Sequence, residues 1–243
     1  MANVYLHYVL DLWFQRQWRT RTAHGETIIV RYADDFVVGF QYKGDAERFL
    51  RDLRERMANF SLELHPDKTR LIRFGRFANA NRRARGQRRP ETFDFLGFTH
   101  YCRTARNGEF GLGRKPVGKR VDRTLRRIGA ELRRRMHHDP YEVAQWLGKI
   151  LTGWLRYYAV PTSTRSLKQF VYRLRLMWLR VLRRRSQMDR TTLDKLGRFA
   201  RATWPSLRVQ HPWPEKRFAR RYAPKVGAPC LSGHAGICTG GAG

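Results

Sequence analysis

The chain has 243 residues, enough for one large or two small domains, and its 50 Lys and Arg outnumber its 20 Asp and Glu to give a formal net charge of +30. A folded protein repels itself at such a charge unless a polyanion lies nearby, so we expect nucleic acid as the partner. The sequence shows no apolar run that could cross a membrane and no N-terminal signal pattern, so we expect no membrane partner and a cytoplasmic location.

The positive charge is concentrated in the second part of the chain. Residues 1–100 contain 18 basic and 12 acidic residues, whereas residues 101–243 contain 32 and 8, so the net charges are +6 and +24. Only nine of the 50 basic residues are Lys, which leaves 41 Arg. The planar guanidinium matches phosphate geometry and stacks on bases, so this composition favours contact of the second part with RNA.

The first predicted elements are a helix and a hairpin with two acids at its turn. Residues 3–18 are apolar with few charges and predict a buried helix. In residues 26–40, two runs rich in β-branched and aromatic residues flank Asp34 and Asp35, which predicts two strands with both acids at the turn. Adjacent carboxylates repel each other, and a hard cation such as Mg²⁺ compensates them. The alternative is a solvated turn, since Asp is common in turns.

An amphipathic helix and further strands follow the hairpin. Residues 44–60 place apolar side chains in one stripe at helical spacing. Residues 62–74 predict a strand interrupted by a turn, and the Arg-rich residues 79–90 predict a loop. An aromatic strand then begins at residue 93, breaks at Gly97 and resumes to residue 101.

The remainder of the chain predicts a basic helical region. We interpret the Gly-rich residues 103–116 as a hairpin or linker and place a domain boundary there. Helical periodicity then recurs in four segments, at residues 118–137, 141–158, 164–185 and 193–201. Pro and Gly accumulate from residue 204 onward, and residues 224–243 are typical of disorder.

Four motifs stand in an order that resembles a known family. They are Tyr32-Ala33-Asp34-Asp35, Leu62-Glu63-Leu64 with Lys68-Thr69, Phe93-Asp94-Phe95-Leu96-Gly97-Phe98, and Gly153-Trp154-Leu155-Arg156-Tyr157-Tyr158. The ordered series is more specific than the acid pair alone. Over roughly residues 3–200 the chain resembles the C-terminal portion of a bacterial group II intron reverse transcriptase/maturase.

The resemblance implies an α+β fold with two main parts. Residues 1–102 would be a partial polymerase palm, made of antiparallel hairpins with a packing helix. Residues 103–116 would be the linker or hairpin, and residues 117–203 a basic helical thumb bundle, called the maturase domain in this family. Residues 204–243 would be a largely disordered, Pro- and Gly-rich tail.

The resemblance also implies a polymerase site in the first part. Asp34 and Asp35 match the carboxylate pair that holds Mg²⁺ for two-metal nucleotidyl transfer from deoxynucleotide triphosphates, with Asp34 the more direct ligand. Lys68 matches a palm lysine near the incoming triphosphate, although an ordinary exposed turn lysine explains it equally well. We expect Tyr32 to pack under the hairpin, and direct contact of Tyr32 with the primer end is the alternative.

A primer grip and a nucleic-acid surface are implied as well. Phe95, Leu96, Gly97 and Phe98 match the primer grip, where Gly97 permits a close approach of backbones; a plain core strand also explains both phenylalanines. In the thumb, the residues implied to bind intron RNA and the template–primer duplex are Arg126, Arg127, Arg133, Arg134, Arg173, Arg180, Arg183, Arg184 and Arg185. Any one of these arginines could simply be a solvated surface residue. Solvation alone does not explain the combined excess of positive charge. Trp146, Trp154 and Trp178 are expected in the core rather than as platforms for bases.

The chain departs from the family at its beginning. A palm needs a further carboxylate on an upstream strand, and fingers that hold the incoming nucleotide. The sequence starts at the helix that follows these parts in the family, and neither Asp11 nor Glu26 has a strand context suited to the missing role. We therefore expect a truncated member that is inactive alone. The alternatives are a non-catalytic RNA-binding maturase module that assists intron folding and splicing, and a non-functional gene fragment.

Two further expectations concern surfaces and cysteines. An exposed apolar surface is expected where further palm strands would pack, and the oligomeric state is open. Cys102, Cys230 and Cys238 form no disulfide framework and suit a reducing compartment. Cys230, His234 and Cys238 have the spacing of metal ligands, but their Gly- and Ala-rich surroundings favour a disordered tail over a zinc site.

Overall fold

A computed structural model describes residues 2–87, 89–105, 108–185 and 190–213 of the chain, which form helices and two small antiparallel sheets. The helices are α1 (Ala2–Leu6), continued by two π-helical stretches (His7–Leu12 and Phe14–Thr22), α2 (Lys43–Asn59), α3 (Ala78–Arg83), α4 (Gly118–Arg134), α5 (Pro140–Tyr158), α6 (Thr164–Arg185) and α7 (Leu193–Thr203). The strands are β1 (Thr27–Tyr32), β2 (Asp35–Phe40), β3 (Phe93–Phe95), β4 (Phe98–Thr104) and β5 (Phe110–Pro116). Within the described ranges, no helix combines the length and apolar character needed to cross a bilayer.

The first core lies between the N-terminal helical segment, α2 and the hairpin of β1 and β2. Its buried members are Val9, Leu10, Phe14, Trp18, Phe49, Leu53 and Met57. The inner face of the hairpin, including Ile29 and Val38, packs against them. The helix predicted over residues 3–18 is therefore present and extends to Thr22, but its first turns are not buried, because Val4 and Tyr8 are each 62% exposed.

The prediction of a strand over residues 62–74 is wrong. This segment is irregular and contains a turn, with no strand among its residues. Leu62 and Leu64 pack against the first core, which explains the alternating apolar pattern. No β-ladder forms beside them, and the backbone N–H of Arg73 donates instead to the Glu91 carboxylate at 3.1 Å. A side-chain acceptor thus takes the place of a strand partner at Arg73.

The second sheet has the strand order β3-β4-β5. β3 and β4 meet at a two-residue turn closed by the pair Phe95↔Phe98, and β4 pairs along its length with β5. Residues 103–116 therefore complete a hairpin of this sheet rather than a free linker. The loop predicted over residues 79–90 is partly helical, because α3, rich in Ala and Arg, covers its first residues.

The second core is made by the helices α4 to α7. Its largest buried side chains include Leu132, Leu147, Leu151, Leu155, Leu167, Phe170, Leu174 and Trp178. The four predicted helices are all present, with ends that differ by a few residues. Trp154 and Trp178 lie in the core as predicted, whereas Trp146 is only partly buried and lies 4.9 Å from the guanidinium of Arg135.

The part of the chain that contains α4 to α7, which we call the helical part, continues past the predicted boundary at residue 203. Trp204 is buried, and its indole N–H donates to the carbonyl of Ala144 at 3.1 Å. Nε2 of His211 lies 2.6 Å from the carbonyl of Arg156, so residues 204–211 pack against α5. The prediction of disorder therefore does not hold for residues 204–211. Residues 214–243, with Cys230, His234 and Cys238, lie outside the described residues.

Candidate metal-binding hairpin and nucleic-acid interface

Asp34 and Asp35 lie at the tip of the hairpin formed by β1 and β2, which we call the acid hairpin. Tyr32 pairs with Asp35 and leaves Ala33 and Asp34 as a two-residue loop. Both aspartates are exposed. Ala33 has a φ of 55°, a left-handed conformation that is uncommon for a residue with a side chain. The local sequence therefore builds a tight turn that presents two neighbouring carboxylates to solvent.

Arg31 fixes the turn to the N-terminal helical segment. Its Nη2 and Nε donate to the two carboxylate oxygens of Asp11 at 2.6 and 2.9 Å, and its Nη1 donates to the carbonyl of Ala33 at 2.8 Å. The side chains of Arg31 and Asp11 are only 15% and 24% exposed. The hydrogen bond from Arg31 lowers the pKa of Asp11, so this bidentate pair is ionised at neutral pH.

Sequence reasoning missed this role of Arg31 and Asp11. Arg31 occupies an inward-facing position of β1, between the half-buried Ile29 and the turn. A charged residue in the inward register of a strand requires a partner on the element packed beneath it. The inward register of Arg31 in the sequence could therefore have indicated that it needs a partner. In the structure that partner is Asp11, on the preceding helical segment.

The two exposed carboxylates suit Mg²⁺ as a partial donor set. Mg²⁺ prefers oxygen ligands and is commonly held by one or two carboxylates together with substrate phosphates and water. Neither Asp34 nor Asp35 has an ion pair with a base in the described part of the chain. Those residues also contain no group of three or more His, Cys, Asp and Glu side chains that could hold a metal ion. The hairpin thus presents two neighbouring carboxylates, and no third His, Cys, Asp or Glu joins them among the described residues.

The outer face of the acid hairpin is apolar. Ile28, Val30 and Tyr32 alternate along β1 and are 63%, 49% and 66% exposed. The expectation that Tyr32 packs under the hairpin is therefore wrong, because the strand alternation that turns Ile29 and Arg31 inward turns Tyr32 outward. The expected apolar surface beside the hairpin is present, and Asp35 lies on it opposite Tyr32.

Lys68 lies in an exposed turn after α2. Its backbone N–H donates to the carbonyl of His65 at 3.3 Å. Within the described ranges, no hydrogen bond or ion pair joins its side chain to Asp34 or Asp35. The structure thus brings the two aspartates together without giving Lys68 a contact to them.

Residues Phe95–Phe98, which we call the grip turn, lie against the helical part. Leu96 and Gly97 have φ values of 49° and 77°, which forms the tight turn between β3 and β4. The hydroxyl of Tyr157 donates to the carbonyl of Leu96 at 2.7 Å. The ring of Phe98 stacks on Tyr157 with centroids 5.5 Å apart. The turn is therefore held by α5 as well as by its own strands.

All nine arginines predicted to bind nucleic acid are exposed. Arg173 pairs with Asp122 at 2.8 Å, and Arg134 lies 3.6 Å from Glu131. Arg183 and Arg185 donate to the carbonyls of Thr191 and His138. The remaining five have no carboxylate within 4 Å among the described residues, namely Arg126, Arg127, Arg133, Arg180 and Arg184. The surface of α4 and α6 is thus strongly positive with little local compensation.

Comparison with known proteins concerns the first part of the chain. Residues 1–100 match the family model described as reverse transcriptase (RNA-dependent DNA polymerase). None of the curated proteins compared with the chain matches it. The matched range includes the acid hairpin, α2 and the grip turn, and it ends before the helical part. Residues 1–100 are thus similar to the reverse transcriptase domain.

Proposed function

We propose that this chain carries the metal-binding hairpin and the RNA-binding helical part of a reverse transcriptase/maturase of the group II intron type. The observation that carries the proposal is the pair Asp34 and Asp35, exposed on a strained and anchored turn inside the range matched to reverse transcriptases. The excess of +24 in residues 101–243 supports RNA and a template–primer duplex as partners. The expected location remains the cytoplasm.

In this proposal each part of the chain has a role in nucleotidyl transfer. Asp34 and Asp35 would hold Mg²⁺, which when bound activates the primer 3′-hydroxyl and stabilises the departing pyrophosphate of the deoxynucleotide. Arg31 holds the carbonyl of Ala33 and so fixes where both carboxylates lie. The grip turn positions the primer end, and Lys68 screens the charge of the triphosphate.

The experiment that tests the hairpin is a titration of the full chain with Mn²⁺ in the presence of a poly-rA/oligo-dT template–primer, read by electron paramagnetic resonance. Asp34→Asn and Asp35→Asn are expected to weaken Mn²⁺ binding by about tenfold each, because each removes a charged oxygen ligand. Asp67→Asn, which removes an exposed acid from another turn, is the matched control and is expected to change nothing. Equal Mn²⁺ binding by all four proteins would rule out the hairpin as a metal site.

Primer extension on the same template–primer with dTTP and Mg²⁺ measures catalysis. We expect no extension by the chain alone, because the described residues supply only two of the carboxylates that a palm requires. Incorporation that is lost in Asp34→Asn would contradict this expectation and establish a complete site.

The second candidate function is a non-catalytic RNA-binding module that assists the folding and splicing of intron RNA. The exposed, uncompensated arginines of α4 and α6 favour it. RNA affinity is expected to fall steeply with salt and to drop when Arg126, Arg127 and Arg133 are replaced by Glu. Affinity that is unchanged by salt or by these substitutions would exclude both candidate functions, since both require RNA binding by the helices.

A further inference from the structure

Arg175 differs from the other arginines of α6 in its surroundings. It shares a helical face with Trp178 and Leu182, three and seven residues later, and this face packs towards α7. Its guanidinium lies 5.8 Å from the ring centroid of Trp204. Arg173, by contrast, is exposed and pairs with Asp122 of α4. Arg175 is therefore a cation held between α6, α7 and the segment that follows α7.

The guanidinium of Arg175 is incompletely satisfied. Its Nε is buried and has no hydrogen-bond partner. A buried N–H without an acceptor is costly, and the cost is greater for a charged group. The face of the Trp204 ring offsets part of the positive charge of Arg175. The ring does not, however, accept a hydrogen bond from the in-plane N–H groups of the guanidinium. The site thus offers donors and lacks an acceptor.

The charges around Arg175 increase this imbalance. Arg201 of α7 is the neighbouring charge, and burial together with Arg201 lowers the pKa of Arg175. No carboxylate lies within 4 Å of either arginine among the described residues. Asp194, the one acid of α7, precedes Arg201 by seven residues, about 10 Å along the helix, and makes no ion pair there. Two cations are therefore held together without a protein counter-ion.

Arg175 is only half-buried, although the buried Gly197 of α7 covers part of its guanidinium. Gly197 lies against Arg175, and a Cβ at this position would come 3.6 Å from Nη1. Arg201 is one turn further along α7 and is exposed. An anion that reaches this groove meets guanidinium groups from two helices.

We propose that Arg175 and Arg201 form a phosphate-binding site for the nucleic-acid backbone in the groove between α6 and α7. This site rests on the proposed function, and it adds a second RNA-contacting face to the helical part, apart from the exposed arginines on the other side of α6. A backbone phosphate supplies acceptor oxygens to the accessible part of the Arg175 guanidinium and to the exposed Arg201, and it compensates both charges.

Arg175→Met in the full chain tests the proposal, because Met keeps an unbranched apolar stem and removes the guanidinium. The affinity for an RNA hairpin at fixed salt is expected to fall about tenfold, and the slope of log affinity against log salt to fall by about one. The thermal midpoint of the free protein is expected to stay equal or rise, because an unsatisfied cation is lost. Arg165→Met, at an exposed position of the same helix, is the control and is expected to leave RNA affinity within about twofold.

Two outcomes would overturn the Arg175–Arg201 site, and a third would overturn the proposed function. A lower thermal midpoint of the free Arg175→Met protein with unchanged RNA affinity would assign Arg175 a structural role and overturn the site. Stabilisation of the unmodified protein by inorganic pyrophosphate that Arg175→Met abolishes, with unchanged RNA affinity, would identify a free-phosphate site and also overturn it. Absence of RNA binding by the unmodified chain would overturn the proposed function itself, which separates the two failures.

Discussion

Ala33 and Leu96 show at the scale of single residues how the two candidate turns are built. Both have positive φ values, 55° and 49°, although neither is glycine. Such conformations cost about 1–2 kcal/mol for residues with a side chain, and surrounding contacts must hold them. The contacts are Arg31 to the carbonyl of Ala33 and Tyr157 to the carbonyl of Leu96. Both turns therefore store backbone strain, as do the positions of Ser61 and Thr162 outside them.

Substitution of Ala33 tests this strain. Ala33→Gly is expected to raise the free energy of unfolding by about 0.5 kcal/mol, because the relief of strain exceeds the extra chain entropy of Gly. Ala33→Val is expected to lower it by about 1–2 kcal/mol, since a β-branched residue fits a positive φ poorly. Urea unfolding measures both. A Val variant as stable as the Gly variant would contradict the backbone conformation of the turn.

Asp45 is a second residue whose environment the sequence did not reveal. It is buried at the start of α2, and its Oδ2 accepts the backbone N–H groups of His24 and Gly25, each at 3.0 Å. Its other oxygen contacts the side chains of His24 and Arg48. Burial raises the pKa of Asp45, but these hydrogen bonds outweigh burial and lower the pKa to about 2. The carboxylate thus ties the loop before β1 to α2.

This lowered pKa predicts an acid-dependent loss of stability. The folded pKa lies below the ordinary value of 3.8, so Asp45 stabilises the fold above that value and loses its effect as pH falls towards 2. At neutral pH, Asp45→Asn is expected to cost about 2 kcal/mol, because the hydrogen bonds lose their charge. Urea unfolding across this pH range should show the difference between the two proteins shrinking in acid. A constant difference would contradict the assignment.

The grip turn and α5 form the main link at the scale of elements. Tyr157 and Phe98 stack, the hydroxyl of Tyr157 binds the carbonyl of Leu96, and the backbone N–H of Val117 donates to the carbonyl of Gly97 at 3.1 Å. The turn is thus enclosed by β5, α4 and α5. Any movement of the helical part is expected to move the grip turn with it.

Two substitutions test this link. Tyr157→Phe keeps the ring and removes the hydrogen bond, which is expected to lower the free energy of unfolding by about 1 kcal/mol. Gly97→Ala is expected to cost about 1 kcal/mol through its φ of 77°. Tyr172→Phe, at an exposed tyrosine of α6, is the control and is expected to have no effect in the same urea titration. Equal stability of Tyr157→Phe and Tyr172→Phe would show that the hydrogen bond does not hold the turn.

Charge is the dominant property of the whole molecule. The net charge of +30 is carried mostly by residues 101–243, while the hairpin acids lie in a nearly balanced part. Self-repulsion of this size destabilises the compact state until counter-ions or a polyanion screen it. The molecule is therefore expected to be most stable when nucleic acid covers its helical surface.

Salt dependence of the free chain measures this self-repulsion. Raising salt from about 0.01 M to about 0.15 M shortens the screening length from about 30 Å to about 8 Å, so the thermal midpoint is expected to rise. Replacement of Arg126, Arg127 and Arg133 by Gln is expected to raise the midpoint at low salt and to reduce its salt dependence. A midpoint that falls with salt would show that attractive ion pairs outweigh the repulsion.

The periodic elements and the acid turn could be predicted from the amino-acid sequence. Helical stripes set α2 and α4 to α7, and β-branched runs around Asp34 and Asp35 set the hairpin, because local spacing and turn chemistry are sufficient for such elements. The strand predicted over residues 62–74 failed because Leu62 and Leu64 fill the first core without a strand to pair with. An alternating apolar pattern indicates that one side of a segment is buried. It does not show whether a neighbouring strand is present to form a β-ladder.

Contacts between distant parts of the chain could not be predicted and arise only in the folded molecule. Arg31 meets Asp11 across 20 residues, and Tyr157 meets Leu96 across 61. Arg175 becomes a half-buried cation only when α7 and Trp204 close over α6. A charge or a hydroxyl acquires its role from the partner beside it, and packing, rather than local propensity, brings those partners together.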